Sequence, residues 1–366
     1  MASRWMTFAA VCGLALGLGT ASGQPNPAPP TGGRGDPRVG VSTNTVWLPR
    51  AEGLDYLRRA RASGITWIRE DFTWSTLQPT PTRFDWRRTD ALMLNAAQLG
   101  IHVLAVATYA PSWASGHNDS NKYPGDAKAY GRFVGAIADR YGAGGTFWRL
   151  HRHLFPVPLT AIELWNEPWL TSFWLSGPDP VAYARLARAA ATAVKARHPR
   201  ISIIASGDVP EESEGVGRDW FKSVLAADPA LWRSRLVDAW SVHVYCHFFS
   251  PWESTEPQRA RFDRLLLTRD FAHQIGADKP VWITEFGWRT DLGSSRDAVT
   301  EQTQADYIVQ ALTRVSTEWR SFVVRSFVFT FTKPSAAEAD VYNLVRPDGS
   351  PRPALQGIQS FIASAK

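Results

Sequence analysis

Residues 159–169 read Leu159-Thr160-Ala161-Ile162-Glu163-Leu164-Trp165-Asn166-Glu167-Pro168-Trp169. The first part is a short, mostly apolar run, as expected of a strand covered on both faces. Where the run gives out, it delivers a carboxylate, Glu167, among aromatic neighbours. A second stretch repeats the arrangement: Val281-Trp282-Ile283-Thr284-Glu285-Phe286-Gly287-Trp288. Between and around these two stretches, strand and helix patterns alternate. The apolar patterns predict strands over 39–42, 65–69, 101–107, 159–164, 201–205, 239–244, 281–284 and 323–329. Helical sequence is expected over 54–62, 89–99, 127–141, 180–197, 220–226, 262–274, 301–316 and 354–363. Gly64, Gly100, Gly142 and Gly276 mark helix ends and Pro180 a helix start. Eight strands, each followed by helical sequence, predict an α/β fold of the closed (β/α)8 TIM barrel kind, with an open doubly wound sheet as the alternative.

Barrel geometry then assigns the loops. Loops that follow strands gather at the face where barrel sites are built. The segment 246–258, after the sixth strand, belongs there, whereas 142–158, before the fourth strand, belongs at the opposite face. The fourth and seventh strands lie across the barrel mouth from each other. Glu167 and Glu285 can therefore face one gap, and a pair of carboxylates flanking a glycosidic bond is the equipment of glycoside hydrolysis. Period-two alternation puts Glu163 on the same side as Trp165 and Glu167, deeper in the strand. It is expected to be a buried polar residue without a catalytic role.

Composition narrows the alternatives. The chain has 366 residues, 44% hydrophobic and 20% charged, which excludes a disordered chain or a coiled coil. The formal charge of +6 comes without a basic block and gives no support to a nucleic-acid partner. Arg4, the apolar run over 8–18 and the small residues over 20–23 predict a secretory signal at 1–23. The run is short for a membrane span of roughly 20 residues, so no stable membrane insertion is expected. A Pro/Gly-rich leader over 24–36 and a single domain over 37–366 follow. With Cys12 in the signal, Cys246 has no partner for an intrachain disulfide. Glycine-rich dinucleotide and phosphate loops and a nucleophile-elbow serine are absent, so no cofactor is expected. His243 with His247, and His151 with His153, lack a convincing third ligand, and no metal is expected.

The 17 tryptophans suggest stacking surfaces, because sugar rings present flat C–H faces. Trp47, Trp74, Trp113, Trp169, Trp174, Trp252 and Trp288 fall near expected strand ends or in the following loops. Tyr109 and His117 follow the third strand.

Trp165-Asn166-Glu167-Pro168 and Ile283-Thr284-Glu285-Phe286-Gly287 resemble the two signatures of clan A retaining glycoside hydrolases, most closely family 39 and the cellulase-like family 5. The resemblance extends over roughly 38–361. It implies that Glu167 is the acid/base, Glu285 the nucleophile and Asn166 a contact to the sugar 2-hydroxyl. It also implies that Arg69 supports the nucleophile and that His243 and Tyr245 lie beside it. Elementary electrostatics agrees. Arg69 favours an ionised Glu285, while burial against Trp165 or Trp169 favours a protonated Glu167. The last strand departs from the family: it ends Val328-Phe329-Thr330-Phe331-Thr332, where many relatives have a Trp. Phe331 or Phe329 is then the expected platform. The resulting expectation is a secreted monomer that hydrolyses a β-linked oligo- or polysaccharide by double displacement, with endo action. Exo action, transglycosylation and a non-catalytic carbohydrate-binding protein are the alternatives.

Overall fold

The computed structural model describes residues 39–210, 219–253, 261–291, 295–331, 341–346 and 348–364, so the expected signal and leader lie outside the described residues. Eight parallel strands form a closed barrel in chain order. They are β1 (Val39–Ser42), β2 (Trp67–Thr73), β3 (His102–Thr108), β4 (Ala161–Leu164), β5 (Ser202–Ser206), β6 (Ala239–His243), β7 (Val281–Phe286) and β8 (Val323–Val328). Pairing of Val39, Gly40 and Val41 with Ser326, Phe327 and Val328 closes the ring and rules out the open sheet.

The helices between strands begin and end for local reasons. Asp126 accepts from the Ala129 N–H and caps the helix Ala127–Tyr141. Asp179 does the same for Pro180–Lys195, where Pro180 occupies a position that needs no donor. Gly100 closes Arg87–Leu99 in the left-handed region, at φ 64°.

Apolar side chains divide into two layers. The larger lies between the strands and the helices. The smaller fills the barrel interior with Trp67, Leu104, Ala161, Ile204, Ala239, Trp282 and Phe327, one residue from each of β2 to β8. β1 contributes Gly40, and a Cβ there would come within 2.6 Å of the Phe327 ring. The interior aromatics leave room for nothing larger.

Two strands run further than their apolar patterns suggest. β2 continues from Arg69 through Glu70 and Asp71 to Thr73, and β7 continues to Phe286. Charged residues ended the apolar pattern at both places, but the barrel mouth supplies partners for those charges, so pairing continues beneath them.

The smaller layer also fixes which side chains can reach the mouth. Trp282 points inward, so simple alternation would aim Thr284 inward and Glu285 outward. β7 instead carries a bulge: Ile283 opposes Val242, while Glu285 opposes the next residue, His243. The extra residue resets the alternation and turns Glu285 into the barrel. β4 uses a different device. Ala161 points inward, and so does Glu163, which bonds to Arg69 inside the barrel. Trp165 then takes φ 66° and Glu167 φ 42°, both unusual for residues with a side chain. Trp165 leaves the inward row and joins the outer layer, against Tyr130 and Trp174. The expected shared side for Glu163, Trp165 and Glu167 is corrected accordingly: Glu163, Asn166 and Glu167 converge, and Trp165 does not.

Candidate active site

A cavity of about 310 Å³ opens at the end of the barrel toward which all eight strands run. Its lining brings together Arg69 and Asp71 of β2, Asn166 and Glu167 after β4, Tyr245 after β6 and Glu285 of β7. Ser42, Thr43, Asn44, Tyr109, Phe173 and Phe329 complete the wall.

Arg69 organises the floor. Its Nε donates to Glu163 Oε2 at 2.6 Å, Nη1 to Glu285 Oε1 at 2.5 Å and Nη2 to Asn166 Oδ1 at 2.8 Å. A planar guanidinium with donors on several edges can bind three partners at fixed angles, which a lysine cannot do. The second Glu285 oxygen accepts from the Tyr245 hydroxyl at 2.5 Å. Both contacts suit a carboxylate that carries its charge. Across the gap, His243 Nδ1 lies 2.8 Å from Glu167 Oε1 and 3.6 Å from Glu285 Oε2. The His243 backbone N–H donates to the buried carboxylate of Asp208 at 2.6 Å. His243 therefore lies beside Glu285 and also bonds to Glu167.

The electrostatics follow from burial and neighbours. For Arg69, burial works against the charged form, but Glu163 and Glu285 outweigh it and raise the pKa. Burial would raise Glu163, yet Arg69 and His243 bring it down to about 2. Burial raises Glu167 above the ordinary carboxylate value. The His243 hydrogen bond and charge oppose this, and the Glu285 charge adds to it. Trp165 and Trp169, the expected wall at Glu167, are both buried in the outer layer and neither lines the cavity. His243 is raised well above its usual value: burial lowers it, but Glu285, Glu163 and Glu167 prevail. Burial also raises Asp71 to about 6, partly offset by Arg69.

One carboxylate behind the wall holds the loop after β1. Glu70 is 1% exposed and accepts from the hydroxyls of Thr43 and Thr45 and from the N–H groups of Thr45 and Val46. Burial nonetheless lifts its pKa to about 7, from an ordinary 4.5. A carboxylate raised on folding weakens the fold as it ionises. Its contribution is unperturbed below about pH 4.5 and falls as pH rises to about 7. Glu70→Gln is expected to flatten the loss of stability between those pH values, read from urea unfolding midpoints. An unchanged slope would exclude Glu70 as its source.

The structure redistributes the aromatic candidates. Tyr109 lines the cavity, in parallel with Phe173 at 6.3 Å. Trp74, Trp169, Trp174 and Trp288 do not line it: all are buried in the outer core. Their strand-end positions are real, but each indole turns outward into the layer beneath the helices. Trp113 packs edge-on against Trp74 and donates to the Gln78 carbonyl. Trp252 sits under Arg314 and away from the cavity lining. Trp47 is 41% exposed, outside the cavity, with Arg88 over its ring. Phe331 is fully buried, so the wall position falls to Phe329, which stands edge-on to Tyr245 and Tyr342. His117 stacks on Tyr123, outside the cavity lining.

Sequence reasoning missed Asp71, Asn44 and Phe173. Asp71 was within reach, because it follows Arg69 by two residues on one strand and shares its face. Asn44 and Phe173 lie in loops that no period describes. Glu167, His243 and Glu285 each offer an atom within 4.8 Å of the others, a spacing that a metal ion could bridge. The Arg69 cation against Glu285 and the raised pKa of His243 disfavour a further positive charge there. Among the described residues, no helix is long and apolar enough to cross a membrane.

Comparison with known proteins bears on this geometry. A family model described as glycosyl hydrolase catalytic core matches residues 159–357, more than half of the chain. No curated protein sequence matches the chain. Among solved structures, a family 39 glycoside hydrolase from Bacteroides cellulosilyticus WH2 is similar over 90% of this chain and 64% of its own. The identity is 20% and the TM-score 0.66. An exo-β-1,4-mannosidase from Opitutaceae bacterium strain TAV5 is similar over 89% of this chain and 59% of its own, at 16% identity and TM-score 0.58. An endo-β-1,4-mannanase from Thermotoga petrophila matches over 89% and 76%, at 15% identity and TM-score 0.56. The chain thus spans less than two thirds of the length of the first two.

Proposed function

The chain belongs to the glycosyl hydrolase catalytic-core family, and from that premise we propose that it hydrolyses a β-linked glycan by double displacement at the Glu167–Glu285 pair. The barrel is of the clan A kind and resembles families 39 and 5. The observation that carries the proposed mechanism is the carboxylate spacing. An oxygen of Glu167 and one of Glu285 lie within 4.8 Å of each other. Retaining pairs stand about 5–5.5 Å apart and inverting pairs about 6.5–9.5 Å, the latter leaving room for a water between.

In the first step Glu285 attacks the anomeric carbon while Glu167 gives its proton to the departing oxygen. Arg69 and Tyr245 hold one Glu285 oxygen each and fix the attack direction. His243 occupies Glu167 Oε1, which leaves Oε2 for the proton. Glycosylation removes the Glu285 charge, and with it one of the causes that raise Glu167. Glu167 then takes a proton from water, whose oxygen attacks the anomeric carbon and frees Glu285. Asn166, fixed by Arg69, is positioned to bond a sugar hydroxyl next to the reacting carbon.

Proton NMR of the first product released from a β-glycoside tests the mechanism. The β anomer is expected before mutarotation, and an initial α anomer would overturn double displacement. Glu167→Gln is expected to slow hydrolysis of natural glycosidic bonds by about 10²–10⁴-fold. Dinitrophenyl glycosides, whose leaving group needs no proton, should retain fast bond cleavage, and azide should restore turnover as a β-glycosyl azide. Equal losses on both substrate types would remove Glu167 from the acid role. Endo action and secretion form part of the same proposal. The apolar run over 8–18 supports export, and a second cavity beside the first supports binding of a chain longer than one sugar.

A further inference from the structure

A second cavity, of about 340 Å³, lies beside the first. Thr45, Val46, Leu48 and Arg50 line one side; Thr76, Asp85, Arg87, Arg88, Ala91, Leu92 and Asn95 line the other. The linings of the two cavities adjoin along the chain after β1. Ser42, Thr43 and Asn44 face the catalytic cavity, and the next residues, Thr45 and Val46, face the second. Glu70 holds this stretch of chain by its Thr43, Thr45 and Val46 contacts.

The two cavities differ in charge. Glu167, Glu285 and Asp71 give the first three carboxyl groups facing one arginine. The second has three arginines and one acid. Asp85 is already committed: both its oxygens hold Arg87, which brings it down to about 2. Arg50 and Arg88 remain. Arg50 is exposed, and its side chain makes no hydrogen bond among the described residues. Arg88 lies 5.2 Å over the exposed Trp47 ring and spends one donor on the Trp47 carbonyl. Two guanidinium groups without a carboxylate partner line this cavity, and one of them lies over an exposed indole; they suit an anionic substituent on a sugar ring.

We propose that the Arg50–Arg88 cavity is a distal glycan subsite, and that the substrate is an acidic polysaccharide whose charged group, carboxylate or sulfate, lies on a sugar beyond the one held at Glu285. This rests on the glycosidase reading for the first cavity but makes its own claim about binding. Acid groups on the sugar at the scissile bond would face Asp71 and Glu285, so the charge pattern places the anion on a neighbouring unit.

The test uses binding to the Glu285→Gln protein, so that turnover plays no part. Matched polymers are methylglucuronoxylan against its carboxyl-reduced form, and dextran sulfate against dextran. Titration calorimetry at 50 mM salt is expected to show about tenfold tighter binding of at least one acidic member, lost by 0.5 M salt. The arm that responds names the anion. Arg50→Gln with Arg88→Gln should abolish the preference, and Arg50→Glu with Arg88→Glu should invert it. Both arginines are exposed, and thermal melts and aryl glycoside turnover of the same substitutions in the active protein should match the unaltered protein. Equal binding of acidic and neutral polymers, or a preference that survives both double variants, overturns the inference. A preference that disappears in the variants, in a protein that cleaves no glycoside, would support this subsite and count against the glycosidase reading alone.

Discussion

Glu285→Gln is expected to lower kcat on every glycoside by on the order of 10⁴-fold or more, because in the proposed mechanism it removes the group that bonds to the anomeric carbon. The substitution keeps shape and leaves an oxygen for Arg69 Nη1. It exchanges the acceptor of the Tyr245 hydroxyl for an amide that can also donate. The expected stability cost is that of one charged hydrogen bond, about 1.5–3 kcal/mol. Arg69 keeps Glu163 as its counter-charge, so the fold should survive. Stopped-flow release of dinitrophenol would show a burst from the unaltered protein if glycosyl transfer outruns its hydrolysis, and none from the variant. Mass spectrometry with a 2-fluoro glycoside should label the unaltered protein on the peptide that contains Glu285. A variant that retained a tenth of the normal kcat, or a label on another carboxylate, would remove Glu285 from the nucleophile role.

The second large effect is on folding. Arg69→Met is expected to destabilise the protein by about 3–5 kcal/mol at pH 7, the range seen when one member of a buried ion pair is deleted. The loss should be large because Arg69 serves two carboxylates that water barely reaches. The side chains of Glu163 and Glu285 are 2% and 9% exposed. The pH dependence supplies an independent check. Glu163 has its folded pKa lowered from 4.5 to about 2, so its stabilising effect is complete above about pH 4.5 and is lost as pH falls toward 2. Without Arg69 the first opposing cause disappears and burial dominates, so Glu163 should favour its protonated form. The variant should then regain stability on acidification from pH 7 to 4.5, which Arg69 denies to Glu163 in the unaltered protein. Adding Glu163→Gln should recover part of the loss, because the amide carries no buried charge. Urea midpoints at both pH values read all of this. An Arg69→Met midpoint within about 1 kcal/mol of the unaltered protein at pH 7 would show the arginine to be dispensable for the fold.

The two expectations differ in how far sequence could reach them. Glu167 and Glu285 could be read from the chain because each ends an apolar strand, and the strand count places β4 and β7 across the mouth. Arg69 and Tyr245 came from the family resemblance rather than from strand counting, and each bonds to Glu285. Glu163 was read correctly as buried and polar, but its work in fixing Arg69 depends on the packing of two strands separated by β3. The tryptophans were read least well. A strand-end position says that an indole is near the mouth. It does not say whether the ring faces the barrel axis or the helices, and Trp74, Trp169, Trp174 and Trp288 face the helices. A large ring gains most by complete burial, and the outer layer offers it.

The sequence by itself determined the barrel, since eight apolar strands alternating with capped helices leave few ways to bury both faces of a sheet. It also singled out the two acids as candidates, because strand order and the residues that end each strand are properties of the chain. Tertiary structure alone decided how those groups meet. The bulge at Ile283–Glu285 and the left-handed backbone at Trp165 and Glu167 override alternation at the two positions of the proposed chemistry. Neither leaves a mark in hydrophobic period, because each depends on the register imposed by neighbouring strands. The second, arginine-lined cavity is of the same kind. Arg50 and Arg88 are surface charges in separate helical stretches, and only the packing of those two helices side by side sets them around one cavity beside the loop that Glu70 holds.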